Sequence, residues 1–472
     1  MANVLQNIPS VNELLERPPL RNLVERVSRT TVVGGVRHFL DNLRHDLQQA
    51  AADVEMPSPG ELAERIAQWI TADQTPNLRP VINATGVLLH TGLGRAPLAE
   101  AAVQALQDIG RGYASLEVDV ATGQRSQRQA DVAHILRRLT GAESAVVVNN
   151  NAGATLLALA ALADDREVIV SRGELVEIGG SFRLPDVMEF SGARLREVGT
   201  TNKTRLDDFA AAIGPQTAAL MRVHASNFAI VGFTERAPLE GLVDLAHRNK
   251  LLFIDDIGSG ALHDFGAYRL GDEPVIGASL RAGADVVLFS GDKLLGGPQC
   301  GILLGREEPI RRIASHPLMR ALRVDKLTLA ALIATLRLHQ DRERAEQSIP
   351  LLSLLSTPLA NLQNRAERLA PQLAATAAVG QAEPFAATTF VGGGSVPTQE
   401  LATWCLAVTP AHGSVDAMAK ALRTGPIPVF GRIQKDRLLL DLKTVFPRQD
   451  MELIDAFQRL EPTPNQGDTE EA

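Results

Sequence analysis

Cysteine, aromatic side chains and surplus positive charge are all scarce in this chain. Its 472 residues hold two cysteines, Cys300 and Cys405, and no C-x-x-C pair. That rules out a disulfide framework and a cysteine-built zinc site, and it fits a reducing compartment. Aromatic residues make up 4 % of the chain, while Ala, Leu and Val are plentiful. The interior is therefore built of branched aliphatics and suits an α/β fold better than an all-β sandwich. No uninterrupted apolar run approaches the roughly 20 residues that cross a bilayer. The opening Met1-Ala2-Asn3-Val4 lacks the basic stretch and apolar core of a secretory signal, so the expectation is a soluble, cytoplasmic protein. A net charge of −8 argues against a generic nucleic-acid binder, which needs excess Lys and Arg to neutralise phosphates, although a local basic surface stays compatible with it. A Walker loop is absent, and Gly92-Leu93-Gly94-Arg95-Ala96-Pro97 breaks the dinucleotide fingerprint at its last glycine. The histidines are scattered without ligand spacing, and no metal is expected.

A length of 472 residues implies two or three domains. Residues 1–75 read as a small helical domain. Ser10 can cap a helix with Glu13 reaching back from three positions on, Val36, Leu40, Leu43 and Leu47 recur at helical spacing, and a further helix is expected over about 58–70. Pro76 and Pro80 mark a linker. From there to residue 340, short β-branched runs alternate with helical stretches, the pattern of a mainly parallel sheet covered on both faces. The runs are 144–148, 167–170, 218–223, 251–254 and 284–289, while Cys300–Gly305 follows a Gly-Gly-Pro turn and suits an antiparallel partner. Residues 341–462 form a smaller α/β domain entered through a long helix around Lys326–Arg342. The last residues, 463–472, read as a disordered acidic tail.

Chemistry-bearing residues fall at the ends of these strands, where open α/β sheets bind ligands. Lys293 follows the strand ending at Phe289, in Ser290-Gly291-Asp292-Lys293-Leu294-Leu295-Gly296-Gly297-Pro298. A lysine buried there loses basicity and can condense with an aldehyde. Asp255 and Asp256 end an earlier strand about 37 residues before the lysine and lead into Gly258-Ser259-Gly260. One of them can keep a pyridine nitrogen protonated, and either can instead serve as a turn or cap. Asn149-Asn150-Asn151-Ala152-Gly153 lies between a strand and a helix, where exposed N–H groups can take a phosphate, with Ser290 adding a hydroxyl. Lysine, acid and phosphate cradle together point to pyridoxal phosphate. Arg95, in a glycine-rich loop, and Arg320 with Arg323, at i, i+3 spacing on one helix face, suit a phosphate-like anion or structural ion pairs.

Long stretches of the chain resemble bacterial selenocysteine synthases, the L-seryl-tRNA(Sec) selenium transferases. The matching stretches are 82–91, 94–98, 149–152, 171–183, 256–260, 289–299 and His316-Pro317-Leu318 on to Arg320, Arg323, Asp325 and Lys326. The resemblance implies a fold-type-I pyridoxal-phosphate core, aminotransferase-like, with an N-terminal helical domain that contacts tRNA and a smaller C-terminal α/β domain. It also implies a ring-shaped homodecamer, a pentamer of dimers. Lys293 matches the cofactor lysine, Asp256 the pyridine-nitrogen partner, and Arg95, Arg320 and Arg323 the arginines that hold the selenium donor. Gly92 departs from the family, which usually has asparagine there. The implied reaction converts seryl-tRNA(Sec) to selenocysteinyl-tRNA(Sec) with selenophosphate, by β-elimination to aminoacrylyl-tRNA and selenium addition. In the N-terminal domain acids outnumber Arg17, Arg21, Arg26, Arg29, Arg37, Arg44 and Arg65, so RNA recognition there would rest on shape and a few placed arginines. Two rivals remain open from sequence: a pyridoxal lyase or aldolase acting on a free amino acid or sugar acid, and a tRNA-binding scaffold without catalysis.

Overall fold

The computed structural model describes residues 8–49, 57–74, 76–179, 182–268, 270–271, 273–392 and 395–460. The tail expected over 463–472 lies outside the described residues, as do Gly180 and Ser181 of the stretch 171–183. The chain divides into two compact units, Met1–Pro80 and Val81–Ala472.

In the first unit, α1 (Val11–Leu15), α2 (Pro18–Arg26), α3 (Arg29–Gln49) and α4 (Pro59–Gln74) enclose a small core of Leu14, Leu20, Val32, Val36, Leu40, Leu62, Ile66 and Ile70. Ser10 caps α1 by accepting the Glu13 N–H at 3.2 Å, but the Glu13 carboxylate turns to Arg17 rather than back to the cap. The reciprocal capping box forms at α4 instead. There the Glu61 carboxylate accepts the Ser58 N–H at 2.8 Å while Ser58 Oγ accepts the Glu61 N–H at 3.3 Å.

A seven-stranded sheet organises the second unit. Its strands are β1 (Ser144–Val148), β2 (Glu167–Ser171), β3 (Arg194–Val198), β4 (Thr217–Val223), β5 (Leu252–Gly258), β6 (Val286–Ser290) and β7 (Gly301–Gly305), in the order β1-β7-β6-β5-β4-β2-β3. Only β7 runs antiparallel to its neighbours, as the Gly-Gly-Pro turn before it suggests. The central strands are buried along nearly their whole length, which is why they read as continuous apolar runs rather than alternating ones. The outer edge of β1 does not stay bare: the Gln129 amide donates to Val147 O at 2.6 Å and accepts Val147 N–H at 2.8 Å, imitating a neighbouring strand.

A second sheet, β8 (Val379–Gly392), β9 (Ser395–Pro410), β10 (Arg432–Gln434) and β11 (Arg437–Asp441), is antiparallel in the order β8-β9-β11-β10. Ile82–Asn83 pairs in parallel with Val429–Phe430, and Ile82 and Ala84 are buried in the core beneath this second sheet. The start of the second unit is thus fastened to its far C-terminal part.

The long helix expected over Lys326–Arg342 is two helices, Lys326–Leu338 and Arg342–Ser348. Asp341 ends the run because its carboxylate accepts the Arg344 N–H at 3.1 Å and caps a new helix.

Candidate active site

Strand β5 runs on to Gly258, beyond the end expected at Ile254, so Asp255 and Asp256 lie inside it and point to opposite faces. On one face Asp255, fully buried, takes a bidentate ion pair from Arg222 of β4, with N···O distances of 2.8 and 2.6 Å. On the other face Asp256, 6 % exposed, accepts a hydrogen bond from Asn151 Nδ2 at 2.9 Å and one from Thr155 Oγ1 at 3.0 Å. Both donors belong to α5 (Asn151–Ala163), one helical turn apart. Burial pushes the Asp256 carboxyl up to about 6, against the pull of Asn151, Thr155 and the Lys293 charge.

Lys293 lies on the segment after β6 and is 4 % exposed. Burial, followed by the neighbouring Arg95 charge, holds its amine below the ordinary lysine range, while Asp256, Asp292 and Glu273 act in the opposite direction. A methyl group placed on Gly258 would sit 3.9 Å from Lys293 Nζ and 4.0 Å from Asp256 Oδ1. Amine and carboxylate therefore flank one spot, and the bare Gly258 backbone, at φ +70°, leaves that spot open. Gly260 is needed for a different reason: a Cβ there would lie 2.7 Å from Ser290 O, so only glycine lets the loop after β5 close against the end of β6. The Leu294 N–H donates to Ser259 O at 3.0 Å and fastens the lysine segment to that same loop.

Arg95 reaches this site from far upstream. Its Nη1 donates to Asp292 Oδ2 at 2.9 Å, and its own backbone is left-handed at φ 60°, a conformation that costs energy for a residue with a side chain. Asp292 was not singled out from sequence, although it immediately precedes Lys293 in the motif. Its other oxygen, Oδ1, is buried without a partner, as are Asn151 Oδ1 and Ser259 Oγ. Orphaned buried oxygens around a buried amine are costly and mark a site built for a polar guest.

The expected phosphate cradle is altered in detail. Asn150 caps α5 and its Oδ1 takes the Gly153 N–H at 2.7 Å, while the Asn151 side chain is spent on Asp256. The first-turn N–H groups of Asn151 and Ala152 are left for an anion. Ser290, 6 % exposed, ends β6 beside the lysine segment.

Arg320 and Arg323 flank Leu322, whose carbonyl accepts the Asn149 N–H at 2.9 Å. The helix carrying Arg320, α6 (Leu318–Leu322), has five residues, and Arg323 is already extended at φ −70°, ψ 141°. The shared helix face expected for the two does not form, because Arg323 leaves the helix to bridge Val148 at the end of β1. Both arginines line an open cavity of about 980 Å³ with Arg125, Arg128, Arg137 and Glu117, and neither Arg95 nor Lys293 borders it. Among the described residues no cluster suited to a metal ion occurs, and no helix is long and apolar enough to cross a membrane.

Comparison with known proteins places this geometry in context. Residues 81–446 match the family model of L-seryl-tRNA selenium transferase, and residues 5–44 match that of the selenocysteine synthase N terminal region. An L-seryl-tRNA(Sec) selenium transferase of Hyphomonas neptunium is 46 % identical over 462 residues, covering 98 % of this chain and 99 % of its own. One from Moorella thermoacetica is 46 % identical over 472 residues, covering 99 % of each chain. Among solved structures, a D-glucosaminate-6-phosphate ammonia-lyase superposes with a TM-score of 0.56 at 22 % identity, covering 82 % of this chain and 98 % of that one. This last likeness speaks for the fold alone.

Proposed function

The chain belongs to the L-seryl-tRNA selenium transferase family and converts seryl-tRNA(Sec) to selenocysteinyl-tRNA(Sec), and we propose that it does so in the pocket shared by Lys293 and Asp256, with pyridoxal 5′-phosphate as cofactor and selenophosphate as donor. The observation that carries the assignment is the meeting of a buried amine and a buried carboxylate at the open backbone of Gly258.

The residues present fit the cofactor. Lys293 offers an amine of lowered basicity, Asp256 an acid oriented by two fixed donors, and the start of α5 free N–H groups for a phosphate. When bound, pyridoxal phosphate supplies an aldehyde for an amine to condense with and a ring that accepts the electron pair released at the α-carbon. Asp256, once ionised, would be the residue to hold a proton on the ring nitrogen of the bound cofactor. Lys293 would take the α-proton of the seryl group as the β-hydroxyl leaves as water, and would return a proton to the α-carbon after selenium, freed from selenophosphate as water takes up its phosphate, has added at the β-carbon. Burial keeps water away from both and strengthens the attraction between them. Arg95, held by Asp292, turns its remaining N–H groups toward the phosphate-like donor.

Arg320 and Arg323 are proposed to act on that donor too. Within one chain they border a cavity that does not include Arg95, and a second copy is proposed to bring the three onto one donor. A homodecamer built as a pentamer of dimers provides such copies. The domain roles follow: 1–75 contacts the tRNA, 76–340 holds the cofactor, and 341–462 forms the small domain. A cytoplasmic location agrees with a substrate that is a charged tRNA.

The test is incubation with seryl-tRNA(Sec) and selenophosphate, scored for selenocysteinyl product, beside seryl-tRNA(Ser). Product from the first substrate only is expected. Turnover of a free amino acid or sugar acid without tRNA would instead favour a small-molecule lyase.

A further inference from the structure

Beyond Ser171, at the end of β2, lies a small cavity that the reaction above leaves unused. It has a volume of about 170 Å³ and is bordered by Glu174, Thr201, Asn202, Thr234 and Arg236. This is below the roughly 300–1,000 Å³ of pockets that take a whole small ligand, and it suits one planar group. Its wall is polar, but the loop beside it is not. Val231 and Phe233 are 87 % and 88 % exposed, and the loop is fastened to the cavity wall by a hydrogen bond from Asn202 Nδ2 to Phe233 O at 2.6 Å. An aromatic ring held out into solvent beside a polar slot is how proteins hold a single nucleobase, stacked on one face and hydrogen-bonded at its edge.

The position of this cavity limits what can enter it. Glu174 Oε2 accepts the backbone N–H of Val223 at 3.1 Å, and Val223 is the register partner of Asp256 on the neighbouring strand. The cavity therefore begins about one strand spacing, roughly 5 Å, from the strand that carries the proposed ring-nitrogen partner. In a seryl-tRNA the reacting serine is separated from the 3′-terminal base only by an ester and a ribose, so that base must settle close to Lys293.

We propose that the cavity bordered by Glu174, with the adjoining loop that carries Phe233, binds the adenine of the 3′-terminal nucleotide of the aminoacyl-tRNA substrate. This rests on the reading of the Lys293 pocket given above and adds the subsite that holds the substrate's end. Glu174 reads the base edge: with Oε2 held by the Val223 N–H, Oε1 is the oxygen that accepts a hydrogen bond from the adenine 6-amino group. Burial raises the Glu174 pKa to about 7, so the ionised, hydrogen-bond-accepting form is present at and above neutrality. Phe233 supplies the stacking face, and Arg236 lies where the ribose or the preceding phosphate passes.

The experiment compares seryl-tRNA(Sec) ending in adenosine with the same RNA ending in purine riboside, which lacks the 6-amino group. Three proteins are assayed with selenophosphate: the unmodified protein, Glu174→Leu and Phe233→Ala. For the unmodified protein, removing the amino group should raise KM about tenfold with kcat kept. Glu174→Leu should show the raised KM with adenosine and no further rise with purine riboside. Phe233→Ala alters a side chain that is almost wholly exposed, so folding is not at stake; it should raise KM about tenfold for both RNAs while kcat stays. An unmodified protein that turns over both RNAs with equal KM, or a Phe233→Ala protein with unchanged KM, overturns the subsite and leaves the reaction intact. Failure of the unmodified protein to turn over either RNA overturns the reaction and this subsite with it.

Discussion

Asp255 and Asp256 are consecutive acids on one strand, and the two faces of that strand give them opposite chemistry. Asp255 meets a guanidinium fork from Arg222 and is fully buried in a matched ion pair. Asp256 meets neutral donors, Asn151 and Thr155, and burial leaves its carboxyl raised to about 6. A charge on the first face is paired for structure. On the second it is kept underpaired, which holds it ready for a cationic guest. Burial alone does not separate the two; the partner does.

The comparison breaks most visibly at the lysine. Lys293→Ala should abolish selenocysteinyl-tRNA formation and the near-visible absorbance of the cofactor-bound protein, read by a spectrum after dialysis against pyridoxal phosphate. A variant that keeps that band would refute the assignment. Asp256→Asn should fold normally and lose activity by about 10²–10⁴-fold, the range of a misplaced proton-holding group, measured as kcat with saturating RNA and donor.

Asp255→Asn should do the reverse. It leaves Arg222 buried without its carboxylate, so a stability loss of about 3–5 kcal/mol is expected in urea unfolding, with kcat near that of the unmodified protein when assayed in the cold. Equal effects of the two Asn substitutions would erase the distinction between the faces.

The smallest effect is on pH dependence. The folded Asp256 pKa lies above its ordinary value of 3.8, at about 6, so the folded state holds a proton that the unfolded chain has released. Its contribution to stability is unfavourable above pH 6, shrinks between about 6 and 4, and vanishes below. Without cofactor, Asp256→Asn should therefore be more stable than the unmodified protein by about 1–3 kcal/mol at pH 7.5. The gap should narrow as the pH falls to 4, followed by thermal melting across that range. A gap independent of pH would show that this carboxyl is ordinary.

Much of the architecture is legible in the chain because it rests on local signals. Strands form at 144–148, 167–171, 217–223 and 286–290, within two residues of the β-branched runs 144–148, 167–170, 218–223 and 284–289, and the Gly-Gly-Pro turn foretells the reversed β7. Strand β3 escapes notice because Arg194-Leu195-Arg196-Glu197-Val198 is an edge strand with three charged residues, so it carries no apolar run. Helix ends are missed where a cap intervenes, as at Asp341, since capping depends on a single side chain and leaves periodicity untouched. At the site, the motif around Lys293 and the acid pair before Gly258 are visible by spacing. Arg320 and Arg323 look like a shared helix face, yet a bridge to Val148 pulls the second out of the helix.

By itself the sequence determined most of the strand order, the Lys293 motif, the acid pair before Gly258 and membership of the family, since these lie in contiguous stretches whose meaning does not depend on distant neighbours. Tertiary structure alone decided that Asp255 pairs with Arg222, that Asn151 and Thr155 serve Asp256, and that Glu174 comes within one strand of it. Such choices depend on register between strands more than a hundred residues from their partners on α5, and register is set by how whole faces pack, which no short window of the chain contains.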